Sequence, residues 1–263
     1  MMKKLKLFSG TALSVLSICF TAQAQKLPNI QAAGLRLPAE TKIDGTASEW
    51  NNKFQAYNKA NGIFYTLANN NENVYLAVKA TDPHFIEKIL SGGITLTIKS
   101  TDKKDKTSPV SIDYLFVPLV ERYAMMKKIK GGDAAAPYTP DDINKQFTAD
   151  AKQVDVRGIK EIPDTLISIN NDAVIKVAAR FDDKKALTYE LSLPLKYIQQ
   201  NLGTNTSFNY DIKLNAIRII KQTGTAKGVP IVTVVRINSR EADDMLDLQS
   251  PTDFSGEYAL APK

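Results

Sequence analysis

Phe208-Asn209-Tyr210-Asp211-Ile212-Lys213-Leu214-Asn215 alternates apolar and polar residues at every step. Side chains of an extended strand point to opposite faces with a period of two, so this octet buries one face and wets the other. Two further stretches repeat the pattern. Ile94, Leu96 and Ile98 alternate with Thr95, Thr97 and Lys99, and Leu187, Tyr189, Leu191 and Leu193 alternate with Thr188, Glu190 and Ser192. Such alternation belongs to antiparallel sheets with one packed and one solvated face. Each buried apolar side chain contributes about 1.5–3 kcal/mol, and a one-residue slip would expose the whole set, so the register is strongly specified.

Other stretches are apolar on both sides: Val74 to Ala80, Ile112 to Val117, Val174 to Ala179 and Ile231 to Ile237. They suit central strands, or strands with a second covered face. Turn-forming clusters separate the strands: Asn69-Asn70-Asn71-Glu72-Asn73, Ser91-Gly92-Gly93, Asp182-Asp183-Lys184-Lys185 and Thr223-Gly224-Thr225. Many strands with turn-rich spacing and little helix predict an all-β fold, an antiparallel β-sandwich of immunoglobulin-like or jelly-roll type. One short helix is expected inside a long insertion at about 121–160. Thr139-Pro140-Asp141-Asp142 supplies its cap, its first-position proline and its first-turn acids, and Ile143, Phe147 and Ala151 follow at helical spacing. Pro194 to Gln200 is a second place for a turn of helix.

Residues 1–24 read as a secretory signal peptide. Lys3, Lys4 and Lys6 precede the apolar stretch Leu7 to Phe20, and Ala22-Gln23-Ala24 is a small-x-small cleavage site, placing the mature start at Gln25. A retained N-terminal anchor and lipidation of Cys19 are the alternatives. The expected location is therefore periplasmic, extracellular or associated with the outer membrane. No stretch after the leader is long enough to span a membrane. Cys19 is the only cysteine, so a mature protein without it has no disulfide, thiolate nucleophile or cysteine metal site. The three leader lysines account for half of the formal +6 charge; the remaining +3 is no argument for a nucleic-acid partner. The 25–263 stretch shows no linker, composition shift or repeat, which favours a single domain.

Three segments together resemble the carbohydrate-binding module family 9-like domains, a group of secreted β-sandwiches. Lys42-Ile43-Asp44-Gly45-Thr46-Ala47-Ser48-Glu49-Trp50 looks like the opening motif of that family. Asn73-Val74-Tyr75-Leu76-Ala77-Val78-Lys79-Ala80-Thr81-Asp82 is similar to its first long strand, and Tyr189-Glu190-Leu191-Ser192-Leu193-Pro194-Leu195 to a late strand running into a Pro-Leu turn. The resemblance spans most of the chain after the leader. It implies a non-catalytic domain that binds carbohydrate, or an envelope structural or protein-interaction domain that has lost the sugar site.

Physically these motifs read as scaffold. Asp44-Gly45 offers a turn in which Gly takes positive φ, Trp50 is an apolar plug whose indole N–H needs a partner, Asp82 closes a strand, and Pro194 ends a ladder. The family's sugar binders clamp the ring with aromatic side chains. The single tryptophan here belongs to the opening motif, so the candidate ligand-binding residues are Arg122, Tyr123, Tyr138 and Phe147 of the insertion. The alternative is that these aromatics pin the insertion to the sandwich.

Catalytic chemistry finds little footing. The lone histidine, His84, reads as a loop residue after Asp82-Pro83, and no Gly-x-Ser-x-Gly elbow or phosphate-binding glycine loop occurs. Glycoside hydrolysis needs only two carboxylates, for which Glu190 and Asp211 on polar strand faces can be put forward. No cofactor is expected. Structural calcium is left open, with Asp44, Asp82, Asp102 and Asp105 as unranked ligands beside the simpler reading of solvated loop acids. A haem module would draw on His84, Met125, Met126 or Met245, but no spacing selects a pair.

Overall fold

The computed structural model describes residues 26–38, 40–51, 53–114, 117–131, 137–163, 165–202, 206–217, 224–226, 229–231 and 246–263. Its strands, numbered in chain order, form two packed antiparallel sheets. One has five strands in the spatial order β1 (Ala56–Asn58), β2 (Ile63–Asn69), β3 (Asn73–Ala80), β9 (Leu187–Pro194) and β8 (Lys176–Phe181). The other has six: β13 (Thr252–Ala259), β10 (Ser207–Leu214), β4 (Ile94–Lys99), β5 (Val110–Tyr114), β6 (Gln153–Arg157) and β7 (Leu166–Ser168). A small hairpin, β11 (Gly224–Ala226) with β12 (Val229–Ile231), stands apart from both. The expected all-β sandwich is what the chain adopts.

The alternating residues build the core. Tyr65, Leu67, Leu76, Val78, Tyr189 and Leu191 from the five-stranded sheet meet Leu96, Ile98, Ile112, Phe208, Tyr210 and Ile212 from the six-stranded one. Across this interior the hydroxyls of Tyr65 and Tyr210 lie 2.9 Å apart, and the Gln31 backbone N–H donates to the Tyr65 oxygen at 2.9 Å. These two buried phenols thereby keep polar partners.

The outer faces of the two sheets differ. On the six-stranded sheet the even spacing holds, and Asn209, Asp211 and Lys213 of β10 stay half-exposed as expected. On the five-stranded sheet all eight residues of β9 are buried, Thr188, Glu190 and Ser192 included. The wet face expected there is covered because the opening segment folds across it. Leu37, Ala47, Trp50 and Phe54 pack on Ala68, Tyr75 and Ala77 to make a second apolar cluster. The stretch Val174 to Ala179 lies mostly in β8, an edge strand in which Val177, Ala178 and Ala179 are half-buried and Lys176 is exposed, with the Asp44-Gly45 turn resting on its Ala179-Arg180 backbone. Ile112 to Val117 holds only part of a strand: β5 ends at Tyr114 and alternates, with Ser111 and Asp113 half-exposed. Of Ile231 to Ile237, only Ile231 lies within the described residues.

More helix is present than the single short one expected. Residues 83–92 form α1 (Pro83–Gly92), so His84 sits in a helix and not in a loop. Asp82 is its N-cap, accepting the His84 backbone N–H at 2.9 Å, and Pro83 takes the first position, where a missing N–H costs nothing. Ile86, Ile89 and Leu90 are its buried face. Ser91-Gly92-Gly93 ends this helix, with Gly93 at φ 89 as the C-cap. The insertion carries two helices, α2 (Leu119–Ile129) and α3 (Pro140–Asp150). It also closes earlier than expected, because Gln153–Arg157 has already joined the sheet as β6. After Pro194 a 3-10 turn at Leu195–Tyr197 leads into the single turn α4 (Gln199–Leu202).

Candidate functional site

The opening motif converges on one buried carboxylate. Glu190 Oε1 accepts the Trp50 indole N–H at 2.8 Å, and Oε2 accepts the backbone N–H groups of Gly45 at 2.7 Å and Asp44 at 3.1 Å. Gly45 holds φ 81, and a Cβ there would lie 2.8 Å from the Ala179 carbonyl carbon, so both conformation and space require glycine. Asp44 Oδ1 in turn accepts from the Thr46 N–H and hydroxyl, closing the turn. Burial lifts the Glu190 carboxyl above the ordinary glutamate range, with its three N–H donors pulling the other way. Trp50 thus finds the partner its indole required, and the motif is a clasp that fastens the opening segment to β9.

This clasp separates the two proposed carboxylates. Glu190 lies beneath the opening segment on the outer side of the five-stranded sheet, whereas Asp211 lies on the outer side of the six-stranded sheet. The whole sandwich stands between them.

The insertion residues do not meet in one groove. Phe147 is buried, its ring edge-on to Phe181 at 6.4 Å. Tyr138 donates its hydroxyl to the Asp182 carbonyl at 2.7 Å beneath the Lys185 ammonium, and burial with the nearby Asp182 and Asp183 charges pushes its pKa up to about 12. Arg122 is buried on α2; among the described residues its Nη1 has no hydrogen-bond partner, and burial pulls its pKa down with the Glu87 charge acting the other way. Only Tyr123 points outward, 68% exposed. Phe147 and Tyr138 both pack against the hydrophobic core.

The acids set aside for metal serve their own loops. Asp82 caps α1, Asp102 accepts the Lys104 N–H at 2.8 Å, and Asp105 accepts the Thr107 N–H at 2.8 Å and its hydroxyl at 2.6 Å. Among the described residues no group of three or more His, Cys, Asp or Glu could hold a metal ion. His84 Nε2 lies 2.8 Å from Asp247 Oδ2, which the buried Lys88 approaches to 3.7 Å. Met125 and Met126 are in the core; Met245, Cys19 and the proposed leader lie outside the described residues. Among the described residues no helix is long and apolar enough to cross a membrane.

The site with open, converging polar groups is the outer face of the six-stranded sheet. A groove of about 570 Å³ crosses β10, β4, β5 and β6 there, within the usual size range of ligand pockets. Register sets its floor in two rows. Lys213, Thr95, Asp113 and Asp155 oppose one another in sequence across the strands, and beside them run Thr97, Ser111 and Arg157. Arg157 grips Asp155 through both carboxylate oxygens, Nε to Oδ1 at 3.1 Å and Nη2 to Oδ2 at 2.6 Å. The Thr97 and Ser111 hydroxyls lie 3.0 Å apart, and the Asn215 amide donates to Thr95 Oγ1 at 2.9 Å and to Asp113 Oδ1 at 3.2 Å. Chemically the face is a lattice of hydroxyl, amide, carboxylate and guanidinium groups that can both donate and accept.

Half of this site is visible in the sequence as the wet positions of β4 and β10. Asp113 escapes because Ile112 to Val117 reads as apolar on both faces, Ser111 because it lies just ahead of that stretch, and Asp155 and Arg157 because they fall inside the expected insertion. The alternation of Gln153-Val154-Asp155-Val156-Arg157 was the available signal. A second groove of about 340 Å³ lies beside β8, lined by Ile43, Ile169, Val174 and Lys176 among others. Val174 stands there at φ 61, an unfavourable backbone for a β-branched residue. No family model, curated protein or solved structure matches the chain.

Proposed function

We propose that this chain is an exported, non-catalytic ligand-binding protein of the periplasm, outer membrane or extracellular space, and that its ligand is a carbohydrate held on the open face of the six-stranded sheet. The observation that carries this reading is the groove over β10, β4, β5 and β6, whose floor offers paired donors and acceptors on rigid strands. Sugar hydroxyls are donors and acceptors at once, and a strand-borne lattice holds its groups more firmly than a loop does. Titration calorimetry and glycan-array screening of residues 25–263 test it. Binding to a soluble or insoluble glycan, lost on Asp155→Ala, is the expected result; silence on every glycan rejects the sugar ligand.

A protein-interaction domain of the envelope is the second reading. The observation in its favour is on α2, where Val120 and Tyr123, three residues apart on one helix face, are 65% and 68% exposed. Cross-linking in envelope extract, repeated with Tyr123→Ser, distinguishes the two: a partner lost with Tyr123 favours this reading over the sugar.

A further inference from the structure

Resting on the carbohydrate reading above, we infer that the ligand is an uncharged, polyhydroxylated chain lying across the strands, held by the edges of its rings and not stacked on them. Three observations lead there. The first is charge. Asp113 and Asp155 are matched on the groove floor by Arg157 and Lys213, and the most exposed of these, Arg157, is already engaged by both oxygens of Asp155. A balanced floor gives an acidic polymer no net field to follow, since steering needs a surplus of one sign.

The second is the lining. Among the described residues no aromatic ring lines the groove, so these residues give the apolar face of a sugar ring nothing to lie against, and recognition on this floor falls to hydroxyl groups meeting side chains edge-on. The Asp155–Arg157 pair suits two neighbouring hydroxyls, the carboxylate accepting from one while the guanidinium donates to the other. Thr97, Ser111 and the Asn215 amide continue the same alternation along the floor.

The third is span. Four strands at a spacing of about 4.8 Å give a floor of about 14 Å measured across them. A single ring meets only part of it. A short chain meets all of it, each added unit contributing bonds until the floor is covered.

The experiment titrates residues 25–263 with a length series of neutral oligosaccharides (xylo-, cello- and manno-) and in parallel with polygalacturonate, each at low and high salt. The inference expects neutral chains to bind, more tightly with length until the chain exceeds the ~14 Å floor, and with little response to salt. Asp155→Asn and Thr97→Val should each weaken binding about tenfold or more, the cost of losing a hydrogen bond made to or beside a charged group. Lys99→Ala, on the same sheet but outside the groove, should leave binding unchanged. Binding of polygalacturonate alone, declining as salt rises, would overturn the uncharged chain while leaving carbohydrate recognition standing. Neutral binding indifferent to Asp155→Asn and Thr97→Val would move the site elsewhere and overturn it too. Absence of binding to every probe would reject the carbohydrate reading itself.

Discussion

Glu190 holds three N–H donors, those of Gly45 and Trp50 buried and that of Asp44 part-buried, and each donor loses its partner if the carboxylate is removed. Leaving a buried donor unsatisfied costs about 1–3 kcal/mol, so Glu190→Ala is expected to destabilise the protein by about 3 kcal/mol or more, read from urea unfolding. The same carboxyl gives a pH signature. Burial raises its pKa in the folded state, so its contribution is fully present below the ordinary glutamate value of about 4.3 and is lost as pH rises through the folded value. Glu190→Gln has no proton to lose. The stability of the parent relative to Glu190→Gln should therefore fall between acidic and neutral pH, and a difference that stays flat or grows would contradict the assignment. At this scale the sequence was half legible. Trp50 visibly needed a partner, but Glu190 sits between Tyr189 and Leu191 in perfect alternation, which is how a solvated acid also looks.

At the scale of elements, strands with one wet face could be read directly, because burial on a single side imposes the period of two, cleanly on β10 and less so on β4, where Thr95 is buried as well. Helix α3 could be read from its cap, its proline and the spacing of Ile143 and Phe147. Helix α1 could not, although Asp82-Pro83 is a start signal of the same kind, because the preceding apolar strand ran straight into it. Strand β6 is harder to see for a different reason: its alternation runs for only five residues after a helix, and it is completed by pairing with β5 on one side and β7 on the other. The packing of the insertion sets up a contrast between two aromatics. Phe147→Ala removes a ring from the core and should cost about 3–5 kcal/mol, whereas Tyr123→Ser, on the exposed side of α2, should stay within about 0.5 kcal/mol of the parent. Thermal denaturation of both variants compares them directly.

At the scale of the whole molecule, one sheet is roofed by the chain's own opening segment, while among the described residues nothing roofs the groove on the other, and that asymmetry is what selects a candidate face. The sandwich class followed from local pattern alone. The roof did not, because it depends on contacts between residues 37–54 and a strand more than a hundred positions away, which no window of sequence displays. Trp50 is the only tryptophan, so its fluorescence reports the seating of the roof, while far-ultraviolet dichroism reports the sheets. If roof and sandwich form one cooperative unit, the two signals should share a single midpoint in denaturant; an earlier fluorescence transition would mark the roof as a separately melting layer.

The phenolic oxygen of Tyr65 touches the Gln31 backbone on one side and Tyr210 on the other, and so sits where three parts of the fold meet. One polar atom thus joins three pieces whose other contacts are mostly apolar. Tyr65→Phe would withdraw that atom and leave the shape intact, since Gln31 stays fastened to β2 through its side chain and the Leu67 backbone. What would go is the partner of two buried groups, the Tyr210 hydroxyl and the Gln31 N–H, at about 1–3 kcal/mol each.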